Sequence, residues 1–347
     1  KRLTMHTKEQ ILDKNTMLNE KIEFVIAAVL DNLNVEIVTN VPGSGSQNIL
    51  AHYNAITNQN LAISFHEEVA YTIAHGASLI GKRSACLIKS HGLVKAGNSV
   101  MDSLSSGTIG GFVTFVFSDK LGKHSDNIFD VVPFIKGLSL PFFTLEKDTI
   151  YQQISEAYSY SEKYQLPVAV IIDDSILHEQ IQFELPEKED EKQIQYTRNI
   201  FQNLVCPVFG TYQHLVLHAK LREEDWRDIP QPMAPKVDNN LPQEWQPTIQ
   251  MYQPIFDIFK NIRGNFVFGD TGISSLFGFE PYNCIDITTY MGGSLPLAIG
   301  ALVSGEQNVW AVTGDFSFIS TGYLGLIEAA NRNLPLKVFI FKNNIAQ

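Results

Sequence analysis

Two residues stand out for chemistry by type and placement: Asp315, in the run Gly314-Asp315-Phe316-Ser317-Phe318, and Asn344, in the pair Asn343-Asn344. One hydrophobic run, Asn308 to Val312, leads to the aspartate, and a second, Leu336 to Phe341, leads to the asparagines. Both polar points therefore fall at the ends of predicted strands. The ends of neighbouring parallel strands are where α/β sheets bind ligands. A carboxylate, an amide oxygen and a backbone carbonyl are hard oxygen donors of the kind Mg²⁺ uses beside a diphosphate. The pattern points to a cofactor whose diphosphate is carried by a metal rather than by lysines. An aspartate at a strand end is often only structural; the asparagines after the next strand weigh against that reading here.

Positioning those ends requires parallel sheets, and the chain alternates strand-like and helical runs in the required way. Strands are expected at Val35 to Asn40, Leu61 to Ser64, Ser84 to Ile88, Gly111 to Phe117 and Pro167 to Ile172, and helices at Glu67 to Ile80 and Thr149 to Tyr164. The strand runs are almost wholly apolar, which favours a parallel sheet covered on both faces. A second α/β half is expected from about 249, with a strand at Asn265 to Phe268, the turn Gly269-Asp270-Thr271-Gly272 and a helix over Ser294 to Leu302. Between the halves, residues 184 to 193 are strongly charged, and the stretch to 248 holds Pro230, Pro232, Pro235, Pro242 and Pro247. That stretch reads as a connector pinned to a core by Trp226 and Trp245. The fold class expected is α/β, with a first domain over 1–180, a connector over 181–248 and a second domain over 249–347.

With 347 residues and 44% hydrophobic content, the chain can enclose two cores. A formal charge of −11 argues against a nucleic-acid or anionic-membrane surface. Cys86, Cys206 and Cys284 are far apart, which argues against a zinc site or a disulfide framework. No apolar segment is long enough to span a bilayer, and no secretory pattern opens the chain, so the cytoplasm is the expected compartment. Residues 1–4, ahead of Met5, read as foreign to the native chain. The stop at Gln347, directly after Asn344, leads us to expect further covering elements beyond it.

Seven segments together resemble the thiamine diphosphate-dependent enzymes that act on 2-oxoacids. They are His66-Glu67-Glu68-Val69-Ala70, Gly76 to Arg83, Lys89-Ser90-His91-Gly92-Leu93, Gly122-Lys123-His124-Ser125, Gly269 to Gly272, Tyr290-Met291-Gly292-Gly293-Ser294, and the Gly314-Asp315 to Asn344 unit. The likeness leans toward the large subunit of indolepyruvate ferredoxin oxidoreductase, then toward the sulfopyruvate and phosphonopyruvate decarboxylases. It implies two thiamine diphosphate-binding-type domains, the pyrimidine-binding one first, with thiamine diphosphate and Mg²⁺ as cofactors. The metal ligands it implies are Asp315, Asn344 and the carbonyl of Ala346, with Gly314, Phe316 and Ser317 beside the diphosphate. Glu67 matches the glutamate that hydrogen-bonds the aminopyrimidine ring, a task needing a carboxyl in a partly apolar place. Glu68 points elsewhere on the helix, and acids at a helix start are also favourable for structural reasons alone.

Met291 matches the apolar residue beneath the folded cofactor, where Gly292 lets backbone approach, and Tyr290 could contact either ligand. His91 and His124 match positions near the reacting centre, with Ser90 and Asn98 as weaker companions. The family's third glycine is replaced by Phe316, and the cysteine segment of ferredoxin-linked relatives is absent from the sequence. The resemblance therefore implies non-oxidative decarboxylation of a 2-oxoacid, with carboligation to an acceptor aldehyde or second 2-oxoacid as an extension. An oxidoreductase subunit using a separate electron-transfer partner is the chief alternative, and a non-catalytic cofactor-binding protein the third. At least a homodimer is implied, since relatives build each site from two subunits.

Overall fold

The computed structural model describes residues 18–188, 190, 194–237 and 241–343. In chain order the elements are β1 (Leu18–Lys21), α1 (Ile22–Asn32), β2 (Ile37–Asn40), α2 (Ser46–Thr57), α3 (Glu67–Leu79), β3 (Ser84–Lys89), α4 (Ser90–Lys95), α5 (Gly97–Ser106), β4 (Phe112–Ser118), α6 (Val132–Gly137), β5 (Phe142–Thr144), α7 (Ile150–Tyr164), β6 (Val168–Asp173) and β7 (Gln180–Phe183). There follow α8 (Ile200–Asn203), α9 (Gly210–Leu221), α10 (Gln246–Ile262), β8 (Phe266–Asp270), β9 (Ile287–Thr289), α11 (Ser294–Val303), β10 (Val309–Gly314), α12 (Asp315–Ser317), α13 (Tyr323–Asn331) and β11 (Lys337–Phe341).

Two parallel sheets covered by helices organise the chain. The first has the order β2-β3-β4-β6-β5 and the second β11-β10-β8-β9. All seven residues of β4 are buried, as expected of a central strand with both faces covered. β1 and β7 form a separate antiparallel pair, so Gln180–Phe183 folds back onto the first half at the point where the connector was expected to begin.

The halves meet through α3 and α11. A Cβ on Gly76 would overlap the carbonyl oxygen of Leu297, and one on Gly300 would overlap that of Ile73. Side-chain-free positions thus let the two helices touch backbone to backbone. Around that crossing Leu79 and Ile80 pack with Leu295, Leu297, Ala298 and Ala301 in one cluster, and Val69 and Ile73 pack with Ile299 and Ala329 in another. Trp226 lies against the first-half core and Trp245 against the second, so the connector is pinned as the sequence suggested.

Leu61 to Ser64 is not a strand. It is an irregular loop held from outside its own half: Arg332 Nη2 donates to the Ala62 carbonyl at 3.1 Å, and the Ser64 hydroxyl donates to Glu328 Oε1 at 2.7 Å. Only Ser64 reaches back to β2, through its N–H to the Asn40 carbonyl. Ile63 is exposed rather than turned into a sheet face.

Glu23, in the first turn of α1, is 2% exposed. Asn48 Nδ2 donates to it at 3.0 Å, and His178 lies 3.1 Å away. Burial opposes its ionisation, but hydrogen bonds from His52 and Asn48 and the charges of His178 and Lys21 prevail and hold the carboxyl at about 2. A depressed folded pKa stabilises the fold above the ordinary value of 4.5 and ceases to do so as the pH falls toward about 2. The stake is on the order of 3 kcal/mol. In urea unfolding, wild type should exceed Glu23→Gln at pH 7, and the gap should close progressively below pH 4.5. A gap unchanged at pH 3 would contradict this assignment.

Candidate cofactor site

The second sheet is wholly parallel, so the carboxyl ends of β8, β9, β10 and β11 open on one edge. A cleft of about 300 Å³ lies there, with Thr271, Ser274, Met291, Gly314, Asp315, Phe316, Ser317 and Asn343 in its wall. Asp315 begins α12 directly after β10, and its Oδ1 accepts the Phe316 N–H at 2.9 Å. Asn343 follows β11 and donates from Nδ2 to the Tyr252 hydroxyl at 2.7 Å. Asn344 and Ala346 lie outside the described residues.

Asp270, at the end of β8, fixes this edge. It is 1% exposed; Oδ1 accepts the Ser294 N–H at 2.9 Å and Oδ2 accepts the Thr313 hydroxyl. One carboxylate thereby ties the start of α11 to β10. Burial raises its pKa against the opposing hydrogen bonds from Thr313 and Ser294. Between β9 and α11 the chain turns through Gly292 at φ 88°, where a Cβ would overlap Thr321 Oγ1. The Thr321 hydroxyl donates to the Met291 carbonyl at 2.7 Å. Met291 follows β9 into this turn and is 45% exposed, with its side chain in the wall of the cleft.

The described wall contains one charged side chain, Asp315, and no Lys or Arg. A bare diphosphate would be repelled there, whereas one accompanied by a divalent cation would be accepted by the carboxylate and the neighbouring oxygens. The residues present therefore fit a metal-carried diphosphate. Among the described residues there is no group of three or more His, Cys, Asp or Glu able to hold a metal on its own.

The first-half candidates gather at the carboxyl ends of β3 and β4. Glu67 opens α3 and pairs with Lys95 at 3.0 Å. Gly92 packs on Glu67, since a Cβ there would sit 2.7 Å from Glu67 Cγ. His91 stands in the first turn of α4, where a loop was expected; its Nε2 pairs with Asn127 Oδ1, and its ring meets Phe129 edge-on at 4.9 Å. His124 is exposed, its N–H bound to Asp119 Oδ2 at 2.7 Å and its carbonyl to Lys89 Nζ at 3.1 Å. Ser90 donates to the Phe117 carbonyl. Glu67, His91 and His124 are thus brought to one sheet edge, but none of them lines the Asp315 cleft.

Tyr290 joins the two regions. Its hydroxyl meets Thr72 Oγ1 at 2.8 Å, one turn along α3 from Glu68, and the adjacent Thr289 hydroxyl donates to Asp102 at 3.0 Å. Tyr290 is buried in that seam, one residue before Met291 enters the cleft. Burial raises Glu68 against hydrogen bonds from Asn98 and Ser99. Burial also pushes Asp102 up to about 6, opposed by Thr289 and the Tyr290 backbone and reinforced by the charges of Glu68 and Asp270. Asp102 and the cleft hydroxyls of Thr271 and Ser274 were not singled out from the sequence. The quoted Gly269-Asp270-Thr271-Gly272 turn was the available signal for the latter two.

Residues 270–347 match the family described as thiamine pyrophosphate enzyme, C-terminal TPP binding domain. No curated protein matches the chain in sequence. A solved X-ray structure, provisionally described as a thiamin diphosphate-dependent enzyme isolated from Mycobacterium smegmatis, is similar in fold. Its TM-score is 0.61 at 12% identity, over 94% of this chain and 90% of that one. Among the described residues no helix is long and apolar enough to cross a membrane. Residues 270–347 thus match a thiamine pyrophosphate-binding domain, and nearly the whole chain shares the fold of that solved structure.

Proposed function

We propose that the protein is a thiamine diphosphate- and Mg²⁺-dependent enzyme that decarboxylates a 2-oxoacid non-oxidatively, with carboligation to an acceptor carbonyl as a second outcome. The observation that carries this reading is the cleft at the strand ends of the matched domain, with Asp315 in its wall and no cationic side chain among the described residues. On this reading residues 1–180 are a pyrimidine-binding domain, 181–248 a connector and 249–347 a diphosphate-binding domain. Two chains associate to complete the sites.

When bound, the cofactor supplies a nucleophilic carbon and an acceptor for the electrons left as carbon dioxide departs. Asp315 would hold the metal, with Asn344 and the Ala346 carbonyl as further ligands. Gly314, Phe316 and Ser317 would lie beside the diphosphate, and Met291, on the turn made by Gly292, would support the rings. Glu67 would hydrogen-bond a pyrimidine nitrogen and hold a proton there, and in the present structure that carboxyl pairs with Lys95. His91 and His124, exposed above β3 and β4, receive the substrate carboxylate.

The three cysteines are buried, and burial pushes their thiols up, Cys86 to about 12 and Cys206 and Cys284 to about 11. None is poised as a redox thiol.

The test is a product assay with thiamine diphosphate, Mg²⁺ and a panel of 2-oxoacids, with and without an acceptor aldehyde and with no electron acceptor present. Carbon dioxide with aldehyde or acyloin is expected. Asp315→Ala should weaken cofactor binding by roughly 10²-fold or more, since even the outer partners of metal ligands are worth 10–100-fold. Cofactor binding without product until an electron acceptor is added would overturn the non-oxidative reading in favour of the oxidoreductase.

A further inference from the structure

A second cavity, of about 240 Å³, lies between the first half and the connector, far along the chain from the Asp315 cleft. Its wall includes Lys220 and Trp226 from the end of α9 and beyond, Arg227, Gln202 in α8, and the apolar side chains Phe201 and Leu217. Among the described residues the wall contains two cations and no Asp or Glu. In a chain of net charge −11 that imbalance is notable.

Lys220 is only 3% exposed. Its ammonium lies 5.0 Å from the Trp226 ring centroid, and the Arg227 guanidinium lies 4.4 Å from the same centroid. The Gln165 carbonyl accepts from Lys220 Nζ at a long 3.5 Å. Arg227 pairs with Asp225, and both are more than half exposed. Two like charges therefore share one indole with no carboxylate between them in the cavity. Burial, and then the Arg227 charge, lower Lys220 to about 7. Glu223 accepts from the Tyr164 hydroxyl at 2.9 Å and is not in the cavity wall, and burial lowers His75 to about 4, so it is neutral.

A third donor is directed to the same place. The amide nitrogen of Gln202 is buried and, among the described residues, has no hydrogen-bond partner. A Cβ on Gly107 would lie 2.6 Å from that nitrogen and 3.4 Å from Lys220 Nζ, so glycine leaves the room in which the two donors converge. An unpaired buried donor is costly and uncommon. Beside a buried lysine whose hydrogen bond to the Gln165 carbonyl is long and whose cavity wall, among the described residues, holds no carboxylate, it marks a place for an acceptor.

We propose that this cavity binds a small organic anion, a carboxylate or phosphate ester with an aromatic or aliphatic body, its charged group received by Lys220, Gln202 and Arg227 and its body set against Trp226. The site is separate from the cofactor cleft, and its occupation would tie the connector to the first half.

Benzoate and phenyl phosphate are the probes, titrated calorimetrically into the whole chain in EDTA, so that no metal-dependent diphosphate site contributes. Saturable 1:1 binding is expected, accompanied by a change in tryptophan emission that Trp226→Phe removes. Lys220→Met and Gln202→Leu should each weaken it about tenfold or more, the scale of a charge-assisted hydrogen bond. Arg227→Gln, at an exposed position that folding does not need, should weaken it several-fold, and Asp315→Ala should leave it unchanged. Tighter phenyl phosphate assigns a phosphate ester, and tighter benzoate a carboxylate. No saturable binding of either probe, or binding indifferent to Lys220→Met and Arg227→Gln, overturns the proposal.

Discussion

Glu67→Gln is expected to lower turnover by roughly 10²–10⁴-fold, the range of a lost proton-transfer group, while thiamine diphosphate affinity stays within a few-fold of wild type. Glutamine keeps the length of the side chain and a hydrogen-bonding oxygen but cannot share a proton with a ring nitrogen. The ion pair to Lys95 is lost as well, yet Lys95 is half exposed, and pairs of that kind contribute little to stability. Folding and cofactor binding should therefore survive, which separates a catalytic defect from a structural one. Steady-state turnover and a direct cofactor titration on the same preparation would measure this. Glu68→Gln is the necessary companion, because burial raises that carboxyl and places it in the seam beside Tyr290. It should change turnover far less. If the large loss followed Glu68 instead, the assignment of the activating acid would be wrong.

Asp270→Ala should destabilise the second half by about 2–4 kcal/mol, and cofactor affinity should fall with it. The estimate follows from two buried donors left without an acceptor, the Ser294 N–H and the Thr313 hydroxyl, at about 1–3 kcal/mol each. It is reduced because the carboxylate itself is costly to bury. Asp270→Asn keeps an acceptor for one donor and should fall between the two proteins. Denaturant unfolding measures the stability, and the cofactor titration shows whether the turn bearing Met291 has loosened. Unchanged affinity at full occupancy of the fold would mean that Asp270 supports the sheet and not the site.

Much of the frame was legible from runs of apolar residues. β3, β4, β6, β8, β10 and β11 fall within a residue or two of the expected strands, and α3, α7 and α11 fall on the expected helices, because each run is long and enclosed. α1 escaped notice because all of it but Asp31 is buried, leaving no polar stripe to reveal a helical period. β5 and β9 have three residues each, too few for a pattern. Leu61 to Ser64 looked like a strand because the sequence does not show that Arg332 and Glu328, far along the chain, anchor it.

The placement of Asp315 at a strand end and of Met291 and Gly292 in a turn was legible because strand ends and turns leave local marks. The Lys95 pair on Glu67 and the Thr72–Tyr290 contact were not, since each depends on how helices and halves are set against one another. The same holds for Lys220, which reads in sequence as an ordinary helical lysine and is enclosed only once α9 and Trp226 pack on the first half.

If the proposed reading holds, a cleft wall whose described side chains include a carboxylate and no cation makes metal and cofactor heterotropic partners. On the proposed reading, whatever factor Mg²⁺ adds to the affinity for thiamine diphosphate, the cofactor must add to the affinity for Mg²⁺. Neither ligand alone finds its charge balanced there, so partly loaded forms are sparsely populated and loading approaches an all-or-none event. At a steady concentration of the metal, the fraction of active protein then follows cofactor supply along a curve whose midpoint the metal sets.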